Sequence, residues 1–300
     1  MNPLTNAIPT ESGLPRREVL LNATSLKYSH CQYHYNLAVV NGWVDKETRE
    51  ELMFGKAVHV YAERRGHGDD HLLALTQACR SYGGPNLGLL TKACINMPPE
   101  VLPIYVDERG TKYIEHKFKV FWQSIVHEGI QYDIWVVGTF DRVHMTSGGF
   151  LQIKDFKTSP KFKEAEVFAG YAASVQMQFY AWVAHNFAYN VFDLTAGNAA
   201  YRGYISVRIQ GVFLSREPVV WKEGSPIQYS LDQLQLFGAH LDRYVRTYIL
   251  PAWHDPLRNG LLNDTCGHCP FINHCYANTP EMADAAFIDM RQVKYDPTTW

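Results

Sequence analysis

Residues 138–159 have the sequence GTFDRVHMTSGGFLQIKDFKTS. Two segments with strand character flank a glycine-containing turn at 147–149, so the pattern predicts a β-hairpin. A three-residue loop would place Asp141 directly opposite Asp155, with their Cβ atoms about 5 Å apart. Lys157 lies two residues beyond Asp155, so its side chain is expected on the same side of the sheet. The hairpin therefore predicts two carboxylates and a lysine on one surface.

This surface has the residues that a metal-dependent phosphodiesterase needs. Carboxylate oxygens suit Mg²⁺ or Mn²⁺, so we expect Asp141 and Asp155 to hold the cation, with the Phe156 backbone carbonyl as a further ligand. Lys157 would orient the attacking water or stabilise the transition state. The alternative is a solvated hairpin with an ordinary Asp–Lys pair. A four-residue turn would favour that alternative, because it would move Asp141 off the shared face.

The composition limits the classes of function. The chain has 300 residues, of which 46% are apolar and 19% charged, so it can bury a sizeable core and is not disordered. A net charge of −2 excludes a binder held by bulk positive charge, but it permits a DNA enzyme with a local basic groove. The sequence has no apolar run of membrane-spanning length and no signal-peptide core in residues 1–17. We therefore expect a cytoplasmic protein without a membrane partner, of unknown oligomeric state.

The order of helical and alternating patterns predicts an α/β fold with a mixed central sheet flanked by helices. Helical spacing begins near Asn22 and continues to Leu37, and a second helix is expected at 46–65. A long helix is expected at 163–190. The expected regions are a polar N-terminal leader at 1–20, a helical region at 21–110 carrying Cys31 and His59, a core sheet with its crossover helix at 111–225, and a C-terminal helix with a Cys-rich segment at 226–300. Residues 21–300 are expected to form one compact domain.

The motifs Gly-x-x-Asp-Arg at 138–142 and Asp-Phe-Lys-Thr at 155–158 resemble the core of the PD-(D/E)XK nuclease superfamily. The RecB-like branch is the most similar, because it also has Gly-x-x-x-His on an upstream helix and Gln-x-x-x-Tyr on a downstream one. This chain matches these motifs with Gly55 to His59 and with Gln176 to Tyr180.

That resemblance implies a restriction-endonuclease-like core. It also implies that His59 is a metal ligand and that Gln176 and Tyr180 reach the substrate backbone. Glu115 matches a glutamate common in the family, and we assign it a supporting role.

Three cysteines between residues 266 and 275 give a second metal signal. A tetrahedral thiolate site needs four, so the fourth must be Cys31, Cys79 or Cys94. The spacing of Cys266, Cys269 and Cys275 resembles the iron–sulfur members of the RecB-like group, such as the AddB nuclease domain and the exonucleases linked to CRISPR adaptation. By this resemblance Cys31 completes a 4Fe–4S cluster, and the Cys-rich C-terminal segment forms an iron–sulfur subdomain. The alternatives are a zinc site and unrelated buried thiols.

The resemblance as a whole implies a metal-dependent DNA exonuclease, acting on single-stranded DNA or DNA ends, with Mg²⁺ or Mn²⁺ and a structural 4Fe–4S cluster. The candidate DNA-binding residues are Arg142, Lys154, Lys161 and Lys163; structural pairing with a carboxylate is the alternative for Arg142. The sequence lacks a Walker motif, so a helicase, or a recombination or CRISPR-adaptation protein, would be a separate partner. Two other functions stay open: a DNA-end-binding or partner-binding module with weak or no hydrolysis, and the same nuclease with structural zinc.

Overall fold

The computed structural model describes residues 14–28, 31–45, 50–159, 163–194, 205–214, 219–253, 269–271, 275 and 290–292. The strands are β1 Arg16–Leu21, β2 Trp43–Asp45, β3 Ile114–His127, β4 Ile130–Met145, β5 Leu151–Ser159, β6 Ile205–Phe213, β7 Val220–Glu223 and β8 Met290–Gln292. The α-helices are α1 Ala23–Tyr28, α2 Gln32–Tyr35, α3 Glu50–His67, α4 His71–Tyr82, α5 Leu87–Ile95, α6 Glu164–Ala172, α7 Val175–Asn186, α8 Ala188–Val191 and α9 Leu231–Tyr244. Short π-helical segments, Asn36–Val40 and Val245–Ile249, follow α2 and α9, and a 3-10 turn spans Pro251–Trp253.

Within the described residues, six strands form one mixed sheet in the order β1-β4-β5-β6-β7, with β3 also paired to β4. The β1–β4 and β5–β6 pairs are parallel, whereas β4–β5 and β6–β7 are antiparallel. A parallel pair needs a long crossover connection, and α6, α7 and α8 lie between β5 and β6 in the chain. The predicted α/β class, with a mixed sheet flanked by helices, is confirmed.

The β4–β5 hairpin has the register that the sequence predicts. Arg142 pairs with Lys154 at the far end of the ladder. At the near end, the Thr146 N–H donates to the Phe150 carbonyl at 2.9 Å, which leaves residues 147–149 as the loop. Gly149 has a φ of 77°, in the left-handed region that glycine adopts without steric cost. The three-residue loop is confirmed, and with it the register on which the two facing carboxylates depend.

The chain divides into two compact units, and the expectation of one compact domain over 21–300 stays a prediction. One unit comprises Met1–Glu47, Phe118–Gly138 and Gly238–Trp300, and the other comprises Thr48–Lys117 and Thr139–Phe237. The first unit contains β1 paired with the first part of β4. The second contains β5, β6 and β7 together with α3 to α8. No helix in the described ranges is long and apolar enough to cross a membrane.

In the first unit, two local structures differ from the predicted ones. Strand β1 occupies the end of the predicted polar leader, where Val19 and Leu21 are buried but the preceding three residues are exposed, so the apolar pattern is short. The first helix is interrupted, because α1 ends at Tyr28 and Cys31 has an extended backbone at φ −134° and ψ 115°. Cys31 caps α2, and its Sγ accepts the His34 N–H at 3.5 Å. Cys31 therefore lies at a helix start and not within the predicted continuous helix.

In the second unit, the predicted long helix at 163–190 is divided into α6, α7 and α8. Ser174 causes the first break, because its hydroxyl caps α7 by accepting the Met177 N–H at 3.4 Å. This cap starts α7 so that Gln176 lies in its first turn. On a different part of the unit, α3, α4 and α5 pack around a buried core that includes Phe54, Tyr61 and Leu90.

Candidate metal centre

Three side chains from three elements converge at the centre of the site. His59 lies on α3, Glu115 at the start of β3 and Asp141 on β4. One potential ligand atom from each lies within 4.8 Å of the others, and we call these three residues the donor group. His59 Nδ1 is 3.2 Å from Glu115 Oε1 and 3.5 Å from Asp141 Oδ1. Two carboxylates and an imidazole this close together can hold a divalent cation such as Mn²⁺.

The backbone of Phe156 orients two members of the donor group. Its N–H donates to Asp141 Oδ2 at 2.6 Å, which fixes the direction of that carboxylate. Its carbonyl oxygen lies 3.2 Å from His59 Nε2. A His59 ring that donates from Nε2 to this carbonyl presents Nδ1 to the two carboxylates, an arrangement typical of metal-ligating histidines. The structure thus places the Phe156 carbonyl against His59, and its predicted role as a cation ligand stays a prediction.

Asp155 and Lys157 lie beside the donor group on β5. Asp155 is almost fully buried, and its Oδ2 is 2.6 Å from Lys157 Nζ. Its Oδ1 accepts a hydrogen bond from Gln176 Nε2 at 3.1 Å. The predicted approach of Asp155 and Lys157 is therefore present, although both Asp155 oxygens are engaged by Lys157 and Gln176. That Asp155 is also a metal ligand stays a prediction.

Gln176 and Tyr180 form one unit on α7, as their spacing of four residues predicts. Gln176 Nε2 donates to Tyr180 Oη at 3.2 Å. Tyr180 is buried, and its ring packs edge-on against Phe140 with centroids 5.1 Å apart. Gln176 is only half-buried. Of the two predicted substrate contacts, Gln176 is thus the more accessible, and Tyr180 supports it from the core.

The buried carboxylates are incompletely neutralised. Burial raises the pKa of Asp141, and the neighbouring His59 offsets only part of this effect. Burial likewise raises the pKa of Asp155 despite its pairing with Lys157. Burial would lower the pKa of His59, but Asp141 and Glu115 outweigh it and raise the pKa to about 9. Because the aspartate pKa values are raised even beside cationic side chains, additional positive charge would stabilise the site, and its donor chemistry fits a hard divalent cation.

Glu115 belongs to the donor group, although its match to the family glutamate predicts only a supporting role. Alternation along β3 predicts only that Glu115 faces away from Ile114 and His116. Its backbone φ is 46°, in the left-handed region that few residues other than glycine adopt and that recurs at functional sites. This conformation interrupts the alternation, and the sequence carries no turn residue that would reveal it.

A second residue that the sequence analysis missed is Tyr171 on α6. Its ring centroid lies 5.8 Å from Lys157 Nζ, close enough for a weak cation–π contact. Its only sequence signal is its position five residues before Gln176, which is not sufficient to identify it.

Two of the predicted DNA-binding residues are withdrawn from solvent. Arg142 is 2% exposed and Lys154 is 5% exposed, and both pair with Glu100. For Arg142 this is the carboxylate pairing that the sequence leaves open as the alternative, and contact of either residue with DNA stays a prediction. Lys163 is exposed and lies 2.7 Å from Glu166. Lys161 lies outside the described residues.

The predicted cluster cysteines are described only in part, because Cys266 lies outside the described residues. His34 contacts two of the others: its N–H donates to Cys31 Sγ, and its Nδ1 is 3.6 Å from Cys269 Sγ. Cys275 is half-buried. The remaining two cysteines pack with the helical core of the second unit, and burial raises the pKa of Cys94 to about 12. A thiol in that state is a structural one.

Comparison with known proteins gives one family. The model of the PD-(D/E)XK nuclease superfamily matches residues 21–276, a range that contains the donor group, Lys157 and all the cysteines. The solved structure titled "Crystal structure of SSO0001" is similar at 13% sequence identity, covering 86% of this chain and 97% of that chain with a TM-score of 0.29. No curated protein matches the sequence.

Proposed function

Because the chain belongs to the PD-(D/E)XK nuclease superfamily, we propose that it is a divalent-metal-dependent DNA exonuclease acting on single-stranded DNA or DNA ends. The observation that carries this proposal is the convergence of His59, Glu115 and Asp141 within 4.8 Å. Membership of the superfamily implies a metal-dependent nuclease. The preference for ends rests on the resemblance of the motifs to RecB-like exonucleases.

The donor group would hold Mg²⁺ or Mn²⁺. A cation bound there supplies activation of a water molecule and neutralises charge on the scissile phosphate. His59 and Asp141 are already oriented for this task by the Phe156 backbone. These residues need no large rearrangement to receive the cation, since their ligand atoms already converge.

Lys157 acts as a positive charge and not as a proton acceptor. Burial would lower its pKa, but Asp155 and Asp141 outweigh it and raise the pKa above the ordinary value. The ammonium group therefore persists at neutral pH and can stabilise negative charge that develops on the phosphate. Asp155 holds this group at 2.6 Å, and Gln176 fixes the other Asp155 oxygen. Gln176 thus positions Lys157 through Asp155.

Digestion of end-labelled single-stranded DNA with Mn²⁺ or Mg²⁺ tests the proposal. Wild-type protein should release labelled nucleotides from linear strands and leave circular single strands intact. Asp141→Asn and Lys157→Met should be inactive or nearly so. Lys92→Met is the matched control, because it removes an exposed lysine in the last turn of α5, which is neither part of the site nor a candidate DNA-binding residue. Equal activity in all four proteins would refute the site, and cleavage of circles would refute the exonuclease assignment.

We also propose that Cys31, Cys266, Cys269 and Cys275 hold a structural 4Fe–4S cluster. The contacts of His34 with Cys31 Sγ and Cys269 Sγ support this, because they place two cysteines that are far apart in the sequence against the same residue. Closing so long a stretch of chain would contribute to folding. Anaerobic purification should give a brown protein with broad visible absorption. A colourless protein with stoichiometric zinc would contradict the cluster and leave the nuclease proposal intact.

We propose that a partner protein supplies the single-stranded substrate by ATP-driven unwinding. A helicase, or a recombination or CRISPR-adaptation complex, is the class of partner that we propose. Co-purification on immobilised protein, with and without single-stranded DNA, would identify it.

A further inference from the structure

A second set of charged side chains lies next to the donor group along the same strands. We call Glu100, Arg142, His144, Lys154 and Glu223 the Glu100 group. Arg142 pairs with Glu100 Oε1, and Lys154 Nζ lies 2.7 Å from Glu100 Oε2 and 3.1 Å from Glu223 Oε1. Both cations are buried and their charges are matched by these carboxylates. The group is therefore available for another role, which the contacts of Arg142 define.

Arg142 is the member of the Glu100 group that reaches the elements carrying the donors. Its Nη2 donates to the Ala62 carbonyl on α3, one helical turn beyond His59. Its guanidinium lies 5.1 Å from the centroid of the Phe156 ring. Its own backbone directly follows Asp141. One side chain thus contacts the helix that supplies His59 and the residue whose backbone orients both His59 and Asp141.

Close packing around Gly66 shows that this arrangement leaves little freedom. A Cβ added at Gly66 would lie 3.3 Å from Arg142 Nη2 and 2.8 Å from Ile114 Cδ1. Ile114 directly precedes Glu115, the third donor. The end of α3, the Arg142 guanidinium and the start of β3 are therefore packed together, so a displacement of Arg142 would be transmitted to the elements of all three donors.

We propose that Arg142 is a positioning residue: fixed by Glu100, it holds α3 against β4 so that His59 meets Asp141 and Glu115 at cation-binding distance. This inference rests on the proposed metal-dependent function. A planar guanidinium donates in two fixed directions at once, here to a carboxylate and to a backbone carbonyl. An ammonium group can replace its charge but not this geometry. Loss of a residue that orients metal ligands typically weakens metal binding about 10–100-fold.

The test is Mn²⁺ affinity, measured without DNA by electron paramagnetic resonance of the free ion. Arg142→Lys should bind Mn²⁺ about 10–100-fold more weakly than wild type. Gly66→Ala, which crowds the guanidinium without changing its charge, should show a smaller loss in the same direction. Lys154→Met is the matched control, because Lys154 is also buried and pairs with Glu100, whereas the hydrogen bond to the Ala62 carbonyl on α3 comes from Arg142. It should keep wild-type Mn²⁺ affinity.

The dependence of kcat on Mn²⁺ concentration distinguishes a residue that positions the metal ligands from one with a purely structural role. Saturating Mn²⁺ should restore the wild-type kcat of Arg142→Lys, because the defect lies in holding the cation. Wild-type affinity in Arg142→Lys, an equal loss in Lys154→Met, or a kcat that stays low at saturating Mn²⁺ would overturn the inference. Should Arg142→Lys fail to fold, Gly66→Ala decides. Failure of wild-type protein to bind Mn²⁺ would instead refute the proposed function.

Discussion

Asp141 directly precedes Arg142 in the chain, and Asp155 directly follows Lys154. All four side chains are buried, yet the charges of the two aspartates are balanced differently from those of Arg142 and Lys154. Burial raises the pKa of both aspartates. In the Glu100 group, burial would also raise the pKa of Glu100, but Arg142 and Lys154 outweigh it and lower the pKa below the ordinary value. The Glu100 group is therefore neutralised within the protein, whereas the aspartates have an excess of negative charge.

This difference in charge balance lies along the same two strands. Alternate residues of a strand point to opposite sides, so a shift of one residue changes the surroundings completely. On the side with excess negative charge, binding of a cation would be favourable. The side with matched charges contributes to folding, and removal of any one partner exposes an uncompensated buried charge. The following predictions test whether the two sides are as different as their charge balance indicates.

The largest effect is expected for Asp141→Asn. Loss of a single transition-state donor lowers the rate of hydrolysis by about 10²–10³-fold. The loss in this variant should be larger, because the cation site itself is removed. The free energy of unfolding of the metal-free protein should be unchanged or higher, because the raised pKa shows that the charged form is unfavourable there. Nuclease assays and urea denaturation in EDTA measure the two effects. A large loss of stability in the metal-free variant would contradict the comparison.

The opposite result is expected for Glu100→Gln. This change leaves Arg142 without its carboxylate and weakens the pairing of Lys154, so the free energy of unfolding should fall by about 3–5 kcal/mol. Glu166→Gln is the control, because it breaks an exposed pair with Lys163 and should cost no more than about 1 kcal/mol. Urea denaturation measures both. Equal stability of the two variants would show that the Glu100 group does not carry the stability assigned to it.

Lys157→Met distinguishes transition-state stabilisation from cation binding. Its kcat should fall by about 10²–10³-fold, because a positive charge next to the phosphate is lost. Its Mn²⁺ affinity should stay the same or rise, since the ammonium group repels a cation at the neighbouring donors. Single-turnover kinetics at saturating Mn²⁺, with a parallel Mn²⁺ titration, separate the two quantities. A parallel loss of affinity and rate would instead indicate that Lys157 maintains the shape of the site.

The part of the site that could be predicted from sequence depends on local rules. A glycine-containing turn between two alternating segments fixes the loop length, and the loop length fixes the register of β4 and β5. The approach of Asp155 to Lys157 follows from that register and from the pleat. The resemblance singles out Gln176 and Tyr180, and their contact follows from a spacing of four residues on a helix. Each of these inferences needs only residues close together in the sequence.

The rest depends on contacts between distant residues or on an unusual backbone. Arg142 and Lys154 have the same sequence signature whether they are solvated or buried, and Glu100, which neutralises them, is 42 residues before Arg142. Glu115 joins the donor group through a left-handed φ that alternation does not reveal. Strand β1 has only two fully buried positions, and its pairing with β4 bridges more than one hundred residues of sequence. Sequence patterns alone do not encode such pairings.

The smallest effect expected is a pH dependence from His59, with opposite signs for stability and for metal binding. Its pKa is raised to about 9 in the folded, metal-free protein, above the ordinary value of about 6.5. A raised pKa contributes stability that is fully present below about pH 6.5 and is lost as the pH rises through about 9. The difference in unfolding free energy between wild type and His59→Gln, measured in EDTA, should therefore shrink over this range.

Mn²⁺ binding should respond in the opposite direction, because a cation must displace the His59 proton. One displaced proton increases the affinity by up to about tenfold per pH unit below pH 9, and the increase should level off above it. Calorimetric titrations in two buffers of different ionisation enthalpy would count the released proton. Binding without proton release at pH 7 would show that His59 is not a ligand, and the carboxylates of Glu115 and Asp141, with the predicted ligand Asp155, would then hold the cation.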